Sequence, residues 1–332
     1  MARVAINGFG RTGRQFMRQV LAKKNLEVVA INDLTDAKTL AHLFKYDTAM
    51  RQFNGTVTAT KDGIVINGKE IKILSEKDPT KLPWKQMAID IVIESTGVFR
   101  DTADCQKHVA AGAKKVILTA PAKGEMPTFV MGVNESTYDP AKHHIVSNAS
   151  CTTNCLAPMV KIVDEAFAIV KGMMTTVHAV TNDQRLLDLQ HTDLRRARAA
   201  AWNIVPTSTG AAKAIGLVYP KAKDKMNGIA IRVPVLDVSL TDLSVVVQKP
   251  ATVETVNAAF KKAADGAMKP YLRYTDEELV SSDFIGDTHS CIFDSLQTMI
   301  VGDMVKVLGW YDNELGYSTR LTDLASFMAQ KL

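Results

Sequence analysis

A chain of 332 residues, 46% apolar and 23% charged, has room for two ordinary domains and is too hydrophobic to be disordered. Its net charge of +5, from 40 Lys and Arg against 35 Asp and Glu, is spread thinly. The one dense basic stretch, Arg195-Arg196-Ala197-Arg198, is no nucleic-acid footprint, and small anionic ligands account for the charge better. The longest mainly apolar runs, 89–93 and 243–247, are strand-sized, so no membrane span is expected. The first residues run into a strand pattern rather than a signal stretch, which points to the cytoplasm.

In chain order, residues 3–7 read as a strand, 12–23 as a helix and 27–33 as a second strand, the start of a parallel β-α-β pattern. Residues 56–74, with alternating Val57, Ile64, Ile66 and Ile71, predict antiparallel strands inserted in that pattern. Buried strands follow at 90–94, 115–118 and 144–147, with a helix over 103–112. Beyond Cys151 the texture changes. Helices are predicted at 154–168 and 209–218, and long alternating strands at 229–233, 237–247 and 304–311, an antiparallel sheet. Leu321, Leu324, Phe327, Met328 and Leu332 give the last stretch a helical stripe that must dock somewhere. The expected fold class is α/β: a Rossmann-type parallel-sheet domain over 1–149, and an α+β catalytic domain over 150–315 with a mainly antiparallel sheet. The terminal helix, 316–332, is expected to dock on the first domain.

Gly8-Phe9-Gly10-Arg11-Thr12-Gly13 is G-x-G-x-x-G between a strand and a helix, the context that gives the pattern meaning. Gly8 permits the tight turn, Gly10 lets a pyrophosphate approach the backbone, and Gly13 lets helix and strand pack closely. The helix N-terminus offers unpaired N–H groups and a positive dipole end to the phosphates. Asp33 ends the next strand, 20 residues after Gly13, where a carboxylate accepts ribose hydroxyls and repels a 2′-phosphate. NAD is therefore expected over NADP.

Cys105, Cys151, Cys155 and Cys291 are too few for a secreted disulfide framework. A cysteine after a strand is ordinarily a buried apolar residue. Cys151 differs because Ser150-Cys151-Thr152-Thr153-Asn154-Cys155 opens a helix, whose N–H groups and dipole favour thiolate. The helix end alone is not enough for a thiol with an unperturbed pKa of about 8.5. His178, at the end of the apolar strand 173–177, can supply the base and later the acid. Cys151 and Cys155 share a helical face, but C-x-x-x-C lacks the second ligand pair of a zinc site, so no metal is expected.

At this point the chain resembles the glyceraldehyde-3-phosphate dehydrogenase family nearly end to end. The resemblance rests on Ile6-Asn7-Gly8-Phe9-Gly10-Arg11, Ser147-Asn148-Ala149-Ser150-Cys151-Thr152-Thr153-Asn154-Cys155, Thr181-Asn182-Asp183-Gln184, Asp193-Leu194-Arg195-Arg196-Ala197-Arg198, Pro206-Thr207-Ser208-Thr209-Gly210-Ala211-Ala212-Lys213 and Trp310-Tyr311-Asp312-Asn313-Glu314. It implies NAD-dependent oxidative phosphorylation of glyceraldehyde 3-phosphate through a thiohemiacetal and a thioester on Cys151. His178 would be acid, base and oxyanion stabiliser, with the Cys151 N–H adding to the oxyanion site. Thr181 and Arg232 would hold the substrate's own phosphate. Ser150, Thr152, Thr209, Gly210 and Arg196 would surround the attacking inorganic phosphate. Arg11, Thr12, Asp33, Lys77, Thr119 and Asn313 would join the glycines in holding NAD, Asn313 at the nicotinamide amide. Arg195 and Arg198 would serve the subunit interface of a homotetramer, and Asp183 would orient its loop rather than react.

Three residues depart from the family pattern: Thr12 for Ile, Gln190 after Leu189 where NAD-specific members often carry Pro, and Leu315 for an aromatic. Only the Thr12 backbone is needed; Gln190 softens the exclusion of NADP; Leu315 alters packing near the nicotinamide. The neighbouring reading is erythrose-4-phosphate dehydrogenase, with the same nucleophile and water in place of phosphate. A non-catalytic NAD-binding regulator is disfavoured by the intact Cys151/His178 pair, and a scaffold would have no use for two anion sites.

Overall fold

The computed structural model describes residues 1–332. Its chain forms two compact units, the first comprising Met1–Phe129, Glu135–Ala149 and Ser318–Leu332, the second Val130–Asn134 and Ser150–Tyr317.

The first unit is built on an eight-stranded sheet in the order β3-β4-β5-β2-β1-β6-β7-β8. Its strands are β1 (Ala2–Asn7), β2 (Leu26–Asn32), β3 (Val57–Ala59), β4 (Gly63–Ile66), β5 (Lys69–Leu74), β6 (Ile91–Glu94), β7 (Lys115–Leu118) and β8 (Ile145–Ser147). Every residue of β6 and β7 is buried, as a parallel strand covered on both faces requires. β3, β4 and β5 pair antiparallel with one another, while β5 joins β2 in parallel, so the inserted strands extend the sheet rather than forming one of their own. From β1 the chain steps to β2 on one side and returns to β6 on the other. That reversal is where an open α/β sheet leaves a crevice at its carboxyl edge.

Helix α1 (Arg11–Val20) buries Phe16, Met17 and Val20. It stops three residues short of the expected Lys23, because the N–H groups of Ala22 and Lys23 turn to the carbonyls of Gln19 and Val20, three residues back. Helices α2 (Ala37–Lys45) and α3 (Thr102–Ala110) are each capped by an aspartate, Asp36 accepting from the Thr39 N–H and Asp101 from the Asp104 N–H. The terminal helix α7 (Leu315–Ala329) buries Leu321, Leu324, Ala325 and Met328. Within the first unit Asp323 pairs with Lys23 at 2.7 Å, and the Ser326 carbonyl accepts from the Asn25 amide.

The second unit carries a seven-stranded sheet in the order β10-β11-β9-β12-β15-β14-β13. Its strands are β9 (Ile169–His178), β10 (Val205–Ser208), β11 (Met226–Arg232), β12 (Ser239–Val247), β13 (Leu272–Thr275), β14 (Cys291–Val301) and β15 (Met304–Tyr311). Most neighbours run antiparallel; β11 with β9 and β13 with β14 are the parallel exceptions. β12 alternates buried and half-buried residues along its length, so Leu243, Val245 and Val247 all face the core. Each such side chain contributes about 1.5–3 kcal/mol relative to exposure. The helices α4 (Cys151–Phe167), α5 (Ala211–Val218) and α6 (Val253–Asp265) complete the unit. α4 starts three residues before the expected 154 and α5 two residues after the expected 209. The segment Val130–Asn134 belongs here, where the Lys161 ammonium donates to the Gly132 carbonyl at 3.1 Å.

Candidate active site

In the first unit the glycine loop follows β1. Gly8 has φ +91°, and a Cβ there would sit 2.7 Å from the Thr96 nitrogen, so both conformation and space demand glycine. A Cβ on Gly13 would meet the Gly8 carbonyl oxygen at 2.3 Å. At Gly10, by contrast, a Cβ would meet nothing within 4 Å, and no side chain caps α1. The result is an open backbone cradle at a helix N-terminus with no acidic residue in its first turn, which fits a pyrophosphate. Asp33 ties the cradle to β2 by accepting from the Phe9 N–H at 2.8 Å and the Thr35 N–H at 2.9 Å. Arg11 donates to Asp47 through both terminal guanidinium nitrogens, and Gln15 joins the same carboxylate. The side chain of Arg11 is therefore spent on the loop at 47–50, and the backbone is what it can offer a phosphate. Half-buried Thr12 stands next to it on α1. Thr119 follows β7, its N–H on the Glu94 carbonyl, and Lys77 is exposed after β5. All these positions lie at carboxyl ends of the parallel strands, and the donor set fits NAD. Asp33→Asn keeps an acceptor for the loop while removing the charge. It should raise the NADP-to-NAD preference roughly tenfold, the worth of about 1.4 kcal/mol; competition titrations with the two coenzymes measure it, and an unchanged ratio would exonerate Asp33.

In the second unit Cys151 is the first residue of α4. Ser150 is the cap, its hydroxyl oxygen accepting from the Thr153 N–H at 3.0 Å. Ala149, just before it, takes the left-handed φ of +57°, a strained conformation of the kind that collects at functional sites. Cys151 is the one cysteine with exposure; Cys105, Cys155 and Cys291 are fully buried. His178 is the last residue of β9, and its Nε2 lies 3.4 Å from Cys151 Sγ. The parallel register of β9 and β11 sets Arg232 directly beside His178. Arg232 Nη1 lies 2.8 Å from His178 Nδ1, 3.2 Å from the Ala179 carbonyl oxygen and 3.4 Å from the Thr181 hydroxyl.

His178 Nδ1 is also 2.7 Å from the Ala179 oxygen. A carbonyl can only accept and a guanidinium can only donate, so Nδ1 cannot serve both at once. Arg232 has two other acceptors within reach, so the proton can sit on Nδ1 toward the Ala179 oxygen. Nε2 is left as a lone pair facing the thiol, the tautomer a general base needs. Burial, then Arg232, hold the imidazole down to about 3, so it is neutral at ordinary pH. Burial pushes the Cys151 thiol up, while Arg232, the Thr152 hydroxyl and N–H, and the Cys151 N–H pull it back. The helix N-terminus thus offsets desolvation without overcoming it, and the base at His178 is needed.

Arg232 Nε is buried without a partner. Its Nη1, by contrast, lies beside the Thr181 hydroxyl, and a guanidinium with a neighbouring hydroxyl is a donor pair of the kind that can hold an anion. Arg196 organises a second basic group. Its Nη1 donates to Asp183 at 2.6 Å, Nε to the Thr207 hydroxyl at 2.9 Å and Nη2 to the Ser208 carbonyl at 3.1 Å. Thr209 and Gly210 follow directly, Gly210 capping α5 with no atom within 4 Å of a Cβ position. The Thr152 hydroxyl is buried and bonded to Tyr311, so the group it turns toward an anion is its N–H. Asn313 accepts from the Ser239 hydroxyl at 2.6 Å, which leaves its amide NH2 as the donor. Tyr311 and Ser239 brace the site, and the sequence assigns neither of them a role. The signal for Tyr311 is its place in the matched stretch, two residues before Asn313.

A family model described as glyceraldehyde 3-phosphate dehydrogenase, C-terminal domain, matches residues 150–313, and the corresponding NAD binding domain model matches residues 2–102. The chain belongs to the glyceraldehyde-3-phosphate dehydrogenase family. It is 58% identical over 332 residues to glyceraldehyde-3-phosphate dehydrogenase 2 of Streptomyces avermitilis, covering 99% of both chains. It is 57% identical over 330 residues to the glyceraldehyde-3-phosphate dehydrogenase of Geobacillus stearothermophilus, covering 99% of this chain and 98% of that one. The enzyme is an oxidoreductase with an NAD-binding Rossmann domain and a mainly antiparallel C-terminal sheet. No helix of it is long and apolar enough to cross a membrane.

Proposed function

We propose that the enzyme catalyses the NAD-dependent oxidative phosphorylation of D-glyceraldehyde 3-phosphate to 1,3-bisphosphoglycerate; its relatives carry the name glyceraldehyde-3-phosphate dehydrogenase. The observation that carries this reading is Cys151 Sγ 3.4 Å from His178 Nε2, with the Arg232–Thr181 anion subsite on the other side of the same imidazole. A substrate anchored by its phosphate at Arg232 and Thr181 presents its aldehyde to the sulfur. Cys151 attacks the carbonyl carbon, its proton passes to Nε2, and His178 returns that proton to the alkoxide to complete the thiohemiacetal. His178 next takes the hydroxyl proton as the carbon is oxidised to the thioester. Gly8, Gly10, Gly13 and Asp33 would hold NAD, which would supply the hydride acceptor when bound.

Inorganic phosphate, held by Arg196, Thr209, Gly210 and the start of α4 at Ser150 and Thr152, attacks the thioester carbon. The acyl phosphate forms, Cys151 leaves as thiolate and takes back the proton held by His178, and the proton of the attacking phosphate goes to solvent, so both protein groups return to their starting state. Arg196 supplies a planar fork suited to a dianion, and the two anion groups keep the substrate's phosphate apart from the attacking one. Steady-state assay with glyceraldehyde 3-phosphate and NAD, with and without phosphate, tests this. Turnover should depend on phosphate, and equal turnover in its absence would transfer the chain to a hydrolysing, erythrose-4-phosphate type of reaction.

Homotetramer formation in the cytoplasm completes the reading. The loop from Asp183 to β10 exposes Leu186, Leu187, Leu189, Leu194, Trp202 and Ile204, with Trp202 88% exposed, more apolar surface than one loop leaves in water unless another subunit covers it. Four free cysteines and no disulfide suit a reducing compartment.

A further inference from the structure

An asparagine amide presents a donor or an acceptor according to which way it is turned. Its two ends are nearly alike in shape, so packing leaves the choice open and a hydrogen bond must make it. At Asn313 the backbone is already fixed. Asp312, buried just before it, accepts from the Glu314 N–H at 2.9 Å and the Leu315 N–H at 2.7 Å. Its other carboxylate oxygen accepts from the Gly286 N–H at 2.8 Å. What remains to be set is the rotation of the Asn313 side chain.

Ser239 stands where that rotation is decided. It is the first residue of β12, pairs with Tyr311 at the end of β15, and is 1% exposed. Its Oγ lies 3.1 Å from the Ala179 nitrogen and 2.6 Å from Asn313 Oδ1. A backbone N–H can only donate, so the Ser239 oxygen accepts from Ala179 and its single proton is left for Asn313. The reverse turn of the amide would set NH2 against the Ser239 oxygen and leave a buried hydroxyl proton with no acceptor. Buried polar groups seldom go unpaired in that way. Ala179 also follows the proposed base directly, and its carbonyl oxygen is 2.7 Å from His178 Nδ1. The end of β9 that carries His178 is thus joined, through one hydroxyl, to the amide of Asn313.

We propose that Ser239 is a positioning residue for the nicotinamide: anchored by the Ala179 N–H, its hydroxyl holds the Asn313 amide with NH2 as the group offered to a ligand. This rests on the reading of Asn313 as the residue that meets the nicotinamide amide. A locked donor selects a pyridinium ring that carries a carbonyl oxygen, and it fixes that oxygen relative to the strand end that bears His178.

Equilibrium titration of the full-length enzyme with NAD, ADP-ribose and acetylpyridine adenine dinucleotide tests this. ADP-ribose lacks the nicotinamide; the acetylpyridine coenzyme keeps a carbonyl oxygen and lacks the amide N–H groups. Ser239→Ala should weaken NAD binding roughly three- to tenfold, the worth of one hydrogen bond. The acetylpyridine coenzyme should weaken by a similar factor, and ADP-ribose should bind as before. Ser239→Cys, close in shape with a weaker donor, should shift the same way and serves if the alanine variant fails to fold. An equal loss for NAD and ADP-ribose, or no loss for either, would overturn the proposal and leave Ser239 a packing residue. A loss for NAD with none for the acetylpyridine coenzyme would overturn the orientation, since Asn313 would then be accepting from the nicotinamide amide. Unchanged NAD affinity in Asn313→Ala would instead remove the reading of Asn313 beneath it.

Discussion

Cys151→Ser loses turnover by roughly 10⁴-fold or more, the scale on which removal of a covalent nucleophile acts, while NAD binding is unchanged. The side chains differ little in size, so the hydroxyl should sit near where the sulfur sits, 3.4 Å from Nε2. What changes is ionisation. The thiol is already pushed up by burial, and Arg232, the Thr152 groups and the helix N–H donors only partly pull it back. An alcohol starts much higher, and the same few donors cannot bring its anion within reach of neutral pH. The groups that fit NAD, namely Gly8, Gly10, Gly13 and Asp33, belong to the first unit, whereas Cys151 opens the second. Equilibrium titration with NAD beside steady-state assay separates the two effects. Phosphate-dependent turnover at the per cent level in the serine variant would remove Cys151 as nucleophile, and lost NAD binding would show that the substitution had disturbed more than the sulfur.

The glycine loop, Asp33 and the nucleophile were legible because each depends on local spacing. Gly8-Phe9-Gly10-Arg11-Thr12-Gly13 carries its turn and helix start in six consecutive residues, and Ser150-Cys151 carries a cap and a first helical position. Helix α6 was just as local and still passed unread. Thr252 caps it and Thr255 reciprocates, but threonine stands where glutamate or glutamine is the usual sign of a capping box. β14 likewise went unread, since Asp294 and Ser295 interrupt its apolar run and are buried nonetheless.

Long-range partners leave no sequence signal of this kind. Arg232 meets His178 only because β9 and β11 pair in parallel with one register, across 53 intervening residues. A pattern of alternating strands predicts a mainly antiparallel sheet, but it cannot say which strands will be neighbours or which pair will run parallel. The Thr152 hydroxyl shows the same limit. Spacing places it at the helix start beside the nucleophile, where an anion site is a fair expectation, but its partner is Tyr311, 159 residues away. Arg196 has a comparable outcome: Asp183, Thr207 and the Ser208 carbonyl share its fork, so any phosphate there binds an arginine already held in place.

His178→Asn should slow acylation by about 10²–10⁴-fold, the usual cost of losing a general acid–base, with a pH dependence that identifies the cause. In the wild-type enzyme burial and Arg232 hold the imidazole down to about 3, so it is a neutral base throughout the working range and contributes no titration there. The pH dependence of acylation should then follow the thiol, rising as Cys151 ionises. An asparagine amide can donate toward the oxyanion but cannot take up and return a proton, so the variant reacts only through thiolate already formed. Its deficit should therefore be largest near neutral pH and shrink as pH rises, because hydroxide replaces the missing base for the first proton. The deficit should not vanish, since the thiohemiacetal proton must still be removed as the carbon is oxidised. The NADH burst in single-turnover mixing, followed as a function of pH, measures this directly. A burst within about threefold of wild type at neutral pH, well inside the span of general-base effects, would remove His178 from the chemistry. A deficit constant at every pH would leave it an oxyanion donor and assign the thiol proton to another group.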